Sequence, residues 1–154
     1  MFRLPTILSG LAIALCLALP AAAVDAPSSK DAPDLSAVRA KIKAKDWQVA
    51  AAELRELAKS NQHADVYNLL AFSLRNIGEY DEARTLYFKA LDFEPEHKGA
   101  HEYLGELFIK TGEMDKARAM FVELQKICAT GCEELDDLKS AIAEADAKAA
   151  PKTN

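Results

Sequence analysis

The chain has 154 residues, half of them apolar and only 7% aromatic, and a formal net charge of −5. That length fits one domain with a tail, with a core built mostly from alanine and leucine. An acidic chain without a cluster of Lys and Arg excludes sequence-independent nucleic-acid binding, which needs such clusters to displace phosphate counterions.

The N-terminus reads as a targeting segment. Met1 and Arg3 supply a positive start, and the apolar run ILSGLAIALCLAL (residues 7–19) follows. Pro20 closes the run, and Ala21, Ala22 and Ala23 offer the small residues that a signal peptidase needs. Residues 1–23 are therefore expected to be a signal peptide, removed on export to the periplasm or the exterior. The run is short for a membrane span of about 20 residues, so no stable insertion is expected after cleavage. Cys16 lies inside this segment behind Leu15, not behind the small residue that an acylated lipoprotein cysteine follows, and leaves with it. Residues 24–33 are rich in Pro, Ser and Asp and read as a flexible linker. Residues 34–149 are expected to form one helical domain, and residues 150–154 a disordered tail.

Helical spacing begins at Leu35, with Val38 and Ile42 three and seven positions further on. KDWQVAAAELRELA, from Lys45, carries a bulky Trp47 and a small Ala50. The strongest signal comes next. NIGEYDEARTLYFKAL from Asn76 and KTGEMDKARAMFVELQ from Lys110 are similar and start 34 positions apart. VYNLLAFSL from Val66 and AHEYLGELF from Ala100 match at the same offset. A fixed period of this length marks a stacked array of helix pairs.

The pattern resembles the tetratricopeptide repeat family. The first full copy places Tyr67, Leu70, Ala71, Leu74, Gly78, Tyr80, Ala83, Tyr87, Ala90 and Pro95 at the signature positions. The second places His101, Leu104, Gly105, Phe108, Gly112, Met114, Ala117 and Phe121 there, and departs with Leu124 and Ala129 where the family prefers Ala and Pro. The resemblance implies an all-α, short helical solenoid of the tetratricopeptide type. It has two clear repeats, one degenerate N-terminal repeat from Leu35, and a C-terminal capping helix. That cap is EELDDLKSAIAEA, with Leu135, Leu138, Ile142 and Ala145 on one stripe.

The resemblance also implies a concave surface lined by the first helix of each pair, suited to a segment of a partner protein. Its groove positions fall on Asp65, Asn68, Phe72, Arg75 and Asn76 in the first copy. In the second they fall on Gly99, Glu102, Glu106, Ile109 and Lys110. Asn68, Phe72 and Arg75 are expected on one exposed face, with Asn68 holding a peptide backbone or carboxylate as such amides do in the family. Glu102 and Glu106 make one half acidic, which suits an extended segment carrying Lys or Arg.

No catalytic signature is present: no phosphate loop, no nucleophile elbow, no HExxH. His97 and His101 are four apart but read as a turn residue and a core residue. The paired acids Glu133/Glu134 and Asp136/Asp137 sit where a helix begins and favour its positive end. No cofactor and no metal are expected.

Cys128 and Cys132 flank Gly131 in KICATGCEEL. Their spacing admits a metal pair, a redox pair or a staple. Export favours a disulfide, no third ligand lies near, and Glu133 and Glu134 oppose a thiolate at Cys132. A Cys128–Cys132 disulfide pinning the cap is the expected state. The functional expectation is a non-catalytic, exported adaptor for an envelope or periplasmic protein. The alternatives are copper or thiol handling through the two cysteines, and an accessory subunit packed into a larger envelope complex.

Overall fold

The computed structural model describes residues 32–150. The expected signal peptide, most of the expected linker and residues 151–154 lie outside them. Among the described residues there are seven helices and no strands. They are α1 (Ser36–Lys43), α2 (Trp47–Ser60), α3 (Ala64–Ile77), α4 (Tyr80–Phe93), α5 (Lys98–Lys110), α6 (Met114–Ile127) and α7 (Glu133–Ala149). The architecture is an all-α solenoid: three helix pairs, α1–α2, α3–α4 and α5–α6, closed by α7. Each helix packs on the next, and α7 packs on both α5 and α6. Among the described residues no helix is long and apolar enough to cross a membrane.

The 34-residue offset recurs in how the helices begin and end. His63 and His97 are the N-cap residues of α3 and α5. The His63 Nδ1 accepts from the Asp65 N–H at 3.2 Å, and the His97 Nδ1 accepts from the Ala100 N–H at 3.1 Å. A ring nitrogen thus does what Ser, Thr, Asp or Asn usually does for the orphan donors of a first turn. At the other ends, Gly78 and Gly112 take left-handed φ values of 92° and 79°. The Glu79 N–H then reaches the Leu74 carbonyl and the Glu113 N–H reaches that of Phe108, the wrap-around bond that ends a helix. The turn between α1 and α2 puts Lys45 in the same region, φ 63°, with no glycine to ease it. This is where the first repeat is degenerate.

Small residues sit where helices touch. Ala50, Ala71, Ala83, Ala90 and Ala117 have no exposed surface. Tyr87, Phe108, Leu54, Leu74 and Leu104 fill the space between layers. Leu35 and Val38 bury the inner side of α1 in the same core. At the far end Leu138 is fully buried with Leu124 and Cys128, and Leu135, Ile142 and Ala145 are partly covered along the same stripe. Cys128 and Cys132 are joined in a disulfide across the turn between α6 and α7.

Candidate partner-binding groove

The first helices of the pairs, with α7 beside them, line one face, and two hollows open along it. The larger, about 680 Å³, lies at the C-terminal ends of α3, α5 and α7. Arg75, Asn76, Glu106, Ile109 and Lys110 form its floor, and Ala141, Ala145 and Lys148 of α7 form a wall. The smaller, about 290 Å³, lies at the N-terminal ends. Asp65, Asn68, Gly99 and Glu102 line it, with Arg39 of α1 on one side and Asp137 of α7 on the other.

A ridge of aromatic and ionic contacts separates the two. The Arg75 guanidinium donates to the Glu106 carboxylate and, at 3.4 Å, to the main-chain carbonyl of Tyr103. It lies 5.1 Å from the Phe72 ring centre and 5.4 Å from that of Tyr103, in cation–π range of both. The Phe72 and Tyr103 rings are 4.7 Å apart, and Trp47 meets Phe72 edge-on at 5.7 Å. Burial, helped by Glu102 and Glu106, pushes the Tyr103 phenol up to about 12.

The groove residues expected from the sequence therefore fall on one face, but the expected exposure is corrected. Asn68 is 4% exposed and Glu102 is 6% exposed. The Arg75 side chain is 12% exposed. Phe72 is half-buried under Tyr103 and Trp47. Glu102 is covered from α7, which lies across α5, whereas Trp47, Tyr103 and Glu106 cover Phe72 and Arg75. Asn76 and Lys110 remain exposed at the larger hollow, and Ile109 is half-buried there. Arg75→Glu is accordingly expected to disturb the fold. It would set two carboxylates together in a half-covered site.

Asp65 is engaged. Because the His97 Nδ1 accepts a main-chain N–H, its proton sits on Nε2, which donates to Asp65 at 3.2 Å. That bond, with the Arg39 guanidinium 3.6 Å away, holds the Asp65 carboxyl below its ordinary range against the cost of burial. Glu102 goes the other way. Burial, then the carboxylates of Glu106, Asp137 and Glu134, push it up to about 8, with Arg75 opposing.

Sequence reasoning missed Tyr103, Arg39 and the acidic face of α7 as parts of this groove. Tyr103 follows a groove position and gave no signal of its own. The acids of α7 were legible as helix-start charges, and only the packing of α7 on α5 brings them over Glu102. Among the described residues no group of three or more His, Cys, Asp or Glu side chains is placed to hold a metal ion.

This is a stacked helix-pair protein with a groove along its inner helices. Two tetratricopeptide repeat family models match it, one over residues 35–92 and one over residues 78–142. Together they take in α1 to α6 and the first part of α7, and the chain belongs to the tetratricopeptide repeat family. It is similar to the uncharacterized protein ycf37 of Guillardia theta, at 32% identity over 76 residues. The match covers 49% of this chain and 43% of that protein, so the chain spans less than half of its relative's length. Among solved structures it is similar to the type III secretion translocator chaperone SycD of Yersinia enterocolitica. The TM-score is 0.66 at 16% identity, covering 80% of this chain and 100% of that one. PcrH, solved in complex with the chaperone binding region of PopD, gives a TM-score of 0.65 at 14% identity, covering 74% and 89%. MamA gives 0.59 at 18%, covering 75% of each chain. At these identities the likeness shows the fold.

Proposed function

We propose that this chain is an exported, non-catalytic adaptor that holds an extended segment of another envelope protein in the groove along α3, α5 and α7. The observation that carries this reading is the larger hollow. It has an exposed amide in Asn76, cations in Lys110 and Lys148, and apolar walls from Ile109, Ala141 and Ala145. Sites that take peptide segments combine such apolar walls with a few polar groups that fix orientation. Two further facts support it. Tetratricopeptide repeats present this face to partners, and the structurally similar PcrH is known with a segment of PopD. The apolar run at residues 7–19 and the Cys128–Cys132 disulfide support export.

The test is to fill the hollow. Ala145→Trp adds bulk at the wall and leaves residues Arg75 and Glu106 themselves unaltered. A partner recovered from envelope extract is expected to lose about tenfold or more in affinity, with the melting temperature unchanged. Undiminished binding to a folded Ala145→Trp chain refutes the groove.

One observation favours a second reading, an accessory subunit that packs by its outer surface. Val122 is 45% and Phe88 46% exposed. An apolar hollow of about 300 Å³ opens beside Val122, between Phe121 and Ile142.

A further inference from the structure

The smaller hollow has more negative charge than its own chain balances. Asp65, Glu133, Glu134 and Asp137 line it with the carboxyl of Glu102, against one cation, Arg39, and the His97 ring. Arg39 and His97 are both committed to Asp65. Among the described residues no hydrogen bond or ion pair reaches the Glu102 carboxyl, although the residue is almost wholly covered. Burial and its acidic neighbours raise Glu102 to about 8 against the pull of Arg75, so the carboxyl keeps its proton at neutral pH.

Asn68 supplies an independent observation. It lines the same hollow, is 4% exposed, and its Oδ1 has no hydrogen-bond partner. Buried amide oxygens are nearly always paired; Nδ2 is the amide atom beside Gly99, and turning the amide about its last bond brings the unpaired Oδ1 to the hollow in its place. Gly99 keeps the approach to this amide open. A Cβ there would stand 3.3 Å from the Asn68 Nδ2.

We propose that this hollow receives one basic side chain, lysine or arginine, of the segment bound in the groove. The inference rests on the groove reading and adds the chemistry of the segment. Most of the uncommitted groups are acceptors: the carboxylates of Glu133, Glu134 and Asp137, that of Glu102 once its proton leaves, and the Asn68 amide oxygen once the amide turns. An ammonium or guanidinium carries only donors and matches these acceptors. A metal ion fits less well, because it needs several ligands converging on one point, and no such group occurs among the described residues. On binding, the cation takes the place of the proton on Glu102, which leaves to water. The titratable and charged groups facing that carboxyl are Arg75 and Asp65 on α3, Glu106 on α5 with His97 at its start, Glu133, Glu134 and Asp137 on α7, and Arg39 on α1. Binding is therefore expected to tighten as pH rises towards 8.

The experiment titrates the 15N-labelled chain with n-butylammonium and with n-butylguanidinium, with butyramide as the neutral control. The Asn68 side-chain amide and the Gly99 N–H are expected to shift and saturate with a cation and not with butyramide. A response to butylammonium alone assigns lysine, and a response to butylguanidinium alone assigns arginine. The Glu102→Gln/Asp137→Asn double variant is expected to weaken the cation about tenfold or more while the rest of the spectrum is unchanged. No shift with either cation, an equal shift with butyramide, or full affinity in the double variant overturns the proposal. Calcium chloride alone producing the same shifts overturns it in favour of a metal site. None of these outcomes touches the larger hollow, so Ala145→Trp judges the groove separately.

Discussion

The pairs α3–α4 and α5–α6 carry one signature, yet different neighbours close them. Ala71 of the first pair is fully buried in the main core, and its counterpart Gly105 faces α7. A Cβ on Gly105 would stand 2.6 Å from a δ-methyl of Leu138, closer than packed carbons approach. Ala90 of the first pair is buried with Tyr67 and Ala100. Its counterpart Leu124 is buried with Cys128 and Leu138. The second repeat departs from the family pattern where a single amphipathic helix, and not another pair, must be received. The cap is thus written in the repeat it covers as well as in its own stripe.

The largest effect is expected from Leu138→Ala. Truncating a fully buried leucine at this junction should cost about 2–5 kcal/mol in chemical denaturation. In that background Gly105→Ala should turn favourable, since helix propensity gains up to about 1 kcal/mol once the clash is gone. In the parent the same change should be distinctly worse. Equal effects in both backgrounds would mean that α7 does not rest on Gly105.

Ala83→Leu comes next and probes the first pair alone. Ala83 is fully buried between helices, so overpacking should cost about 1–3 kcal/mol. A melting temperature equal to the parent's would contradict the assigned register.

Replacing Cys128 and Cys132 together with serine should cost about 2 kcal/mol, the chain-entropy value for so small a loop. The loss should be local. Amide exchange should quicken over the first turns of α7, where Glu133, Glu134 and Asp137 begin, and stay slow in α3 and α4. Reductant should bring the parent to the same profile. An unchanged melting curve under reductant would show that the staple does not hold the cap.

Glu102→Gln should have the smallest effect in acid, where both side chains are neutral, and a pH-specific one above it. The folded carboxyl titrates near 8 against an ordinary 4.5, so the folded chain holds a proton that the unfolded chain has released. Stability from this group is full below about 4.5, falls as pH rises, and is lost by about 8. The variant should lack that decline when unfolding is followed from acid to mildly alkaline pH. Parallel profiles would place Glu102 in water.

Much of the fold was legible because a repeat states itself twice. Gly78 and Gly112 marked the turns, Ala83 and Ala117 the close contacts, and the spacing of Leu135, Leu138 and Ile142 the inner face of α7. The groove positions were legible as a row for the same reason. Their burial was not. Asn68 and Glu102 are covered by residues more than thirty positions away in sequence, and helical periodicity carries no information about which elements meet across such distances. The capping by His63 and His97 hid for another reason. The two residues share the repeat's offset, but histidine is not among the usual helix-starting residues.

The central claim, that the inner face and not the outer one receives the partner, is tested most directly by site-specific photocrosslinking in envelope extract. A crosslinker is placed at Lys110 in the groove or at Val122 on the outer surface, both exposed, and the adducts are sequenced by mass spectrometry. The account predicts that position 110 captures one recurring peptide segment, that Ala145→Trp abolishes the adduct, and that position 122 captures nothing specific. A recurring partner peptide at position 122 with none at position 110 would contradict it.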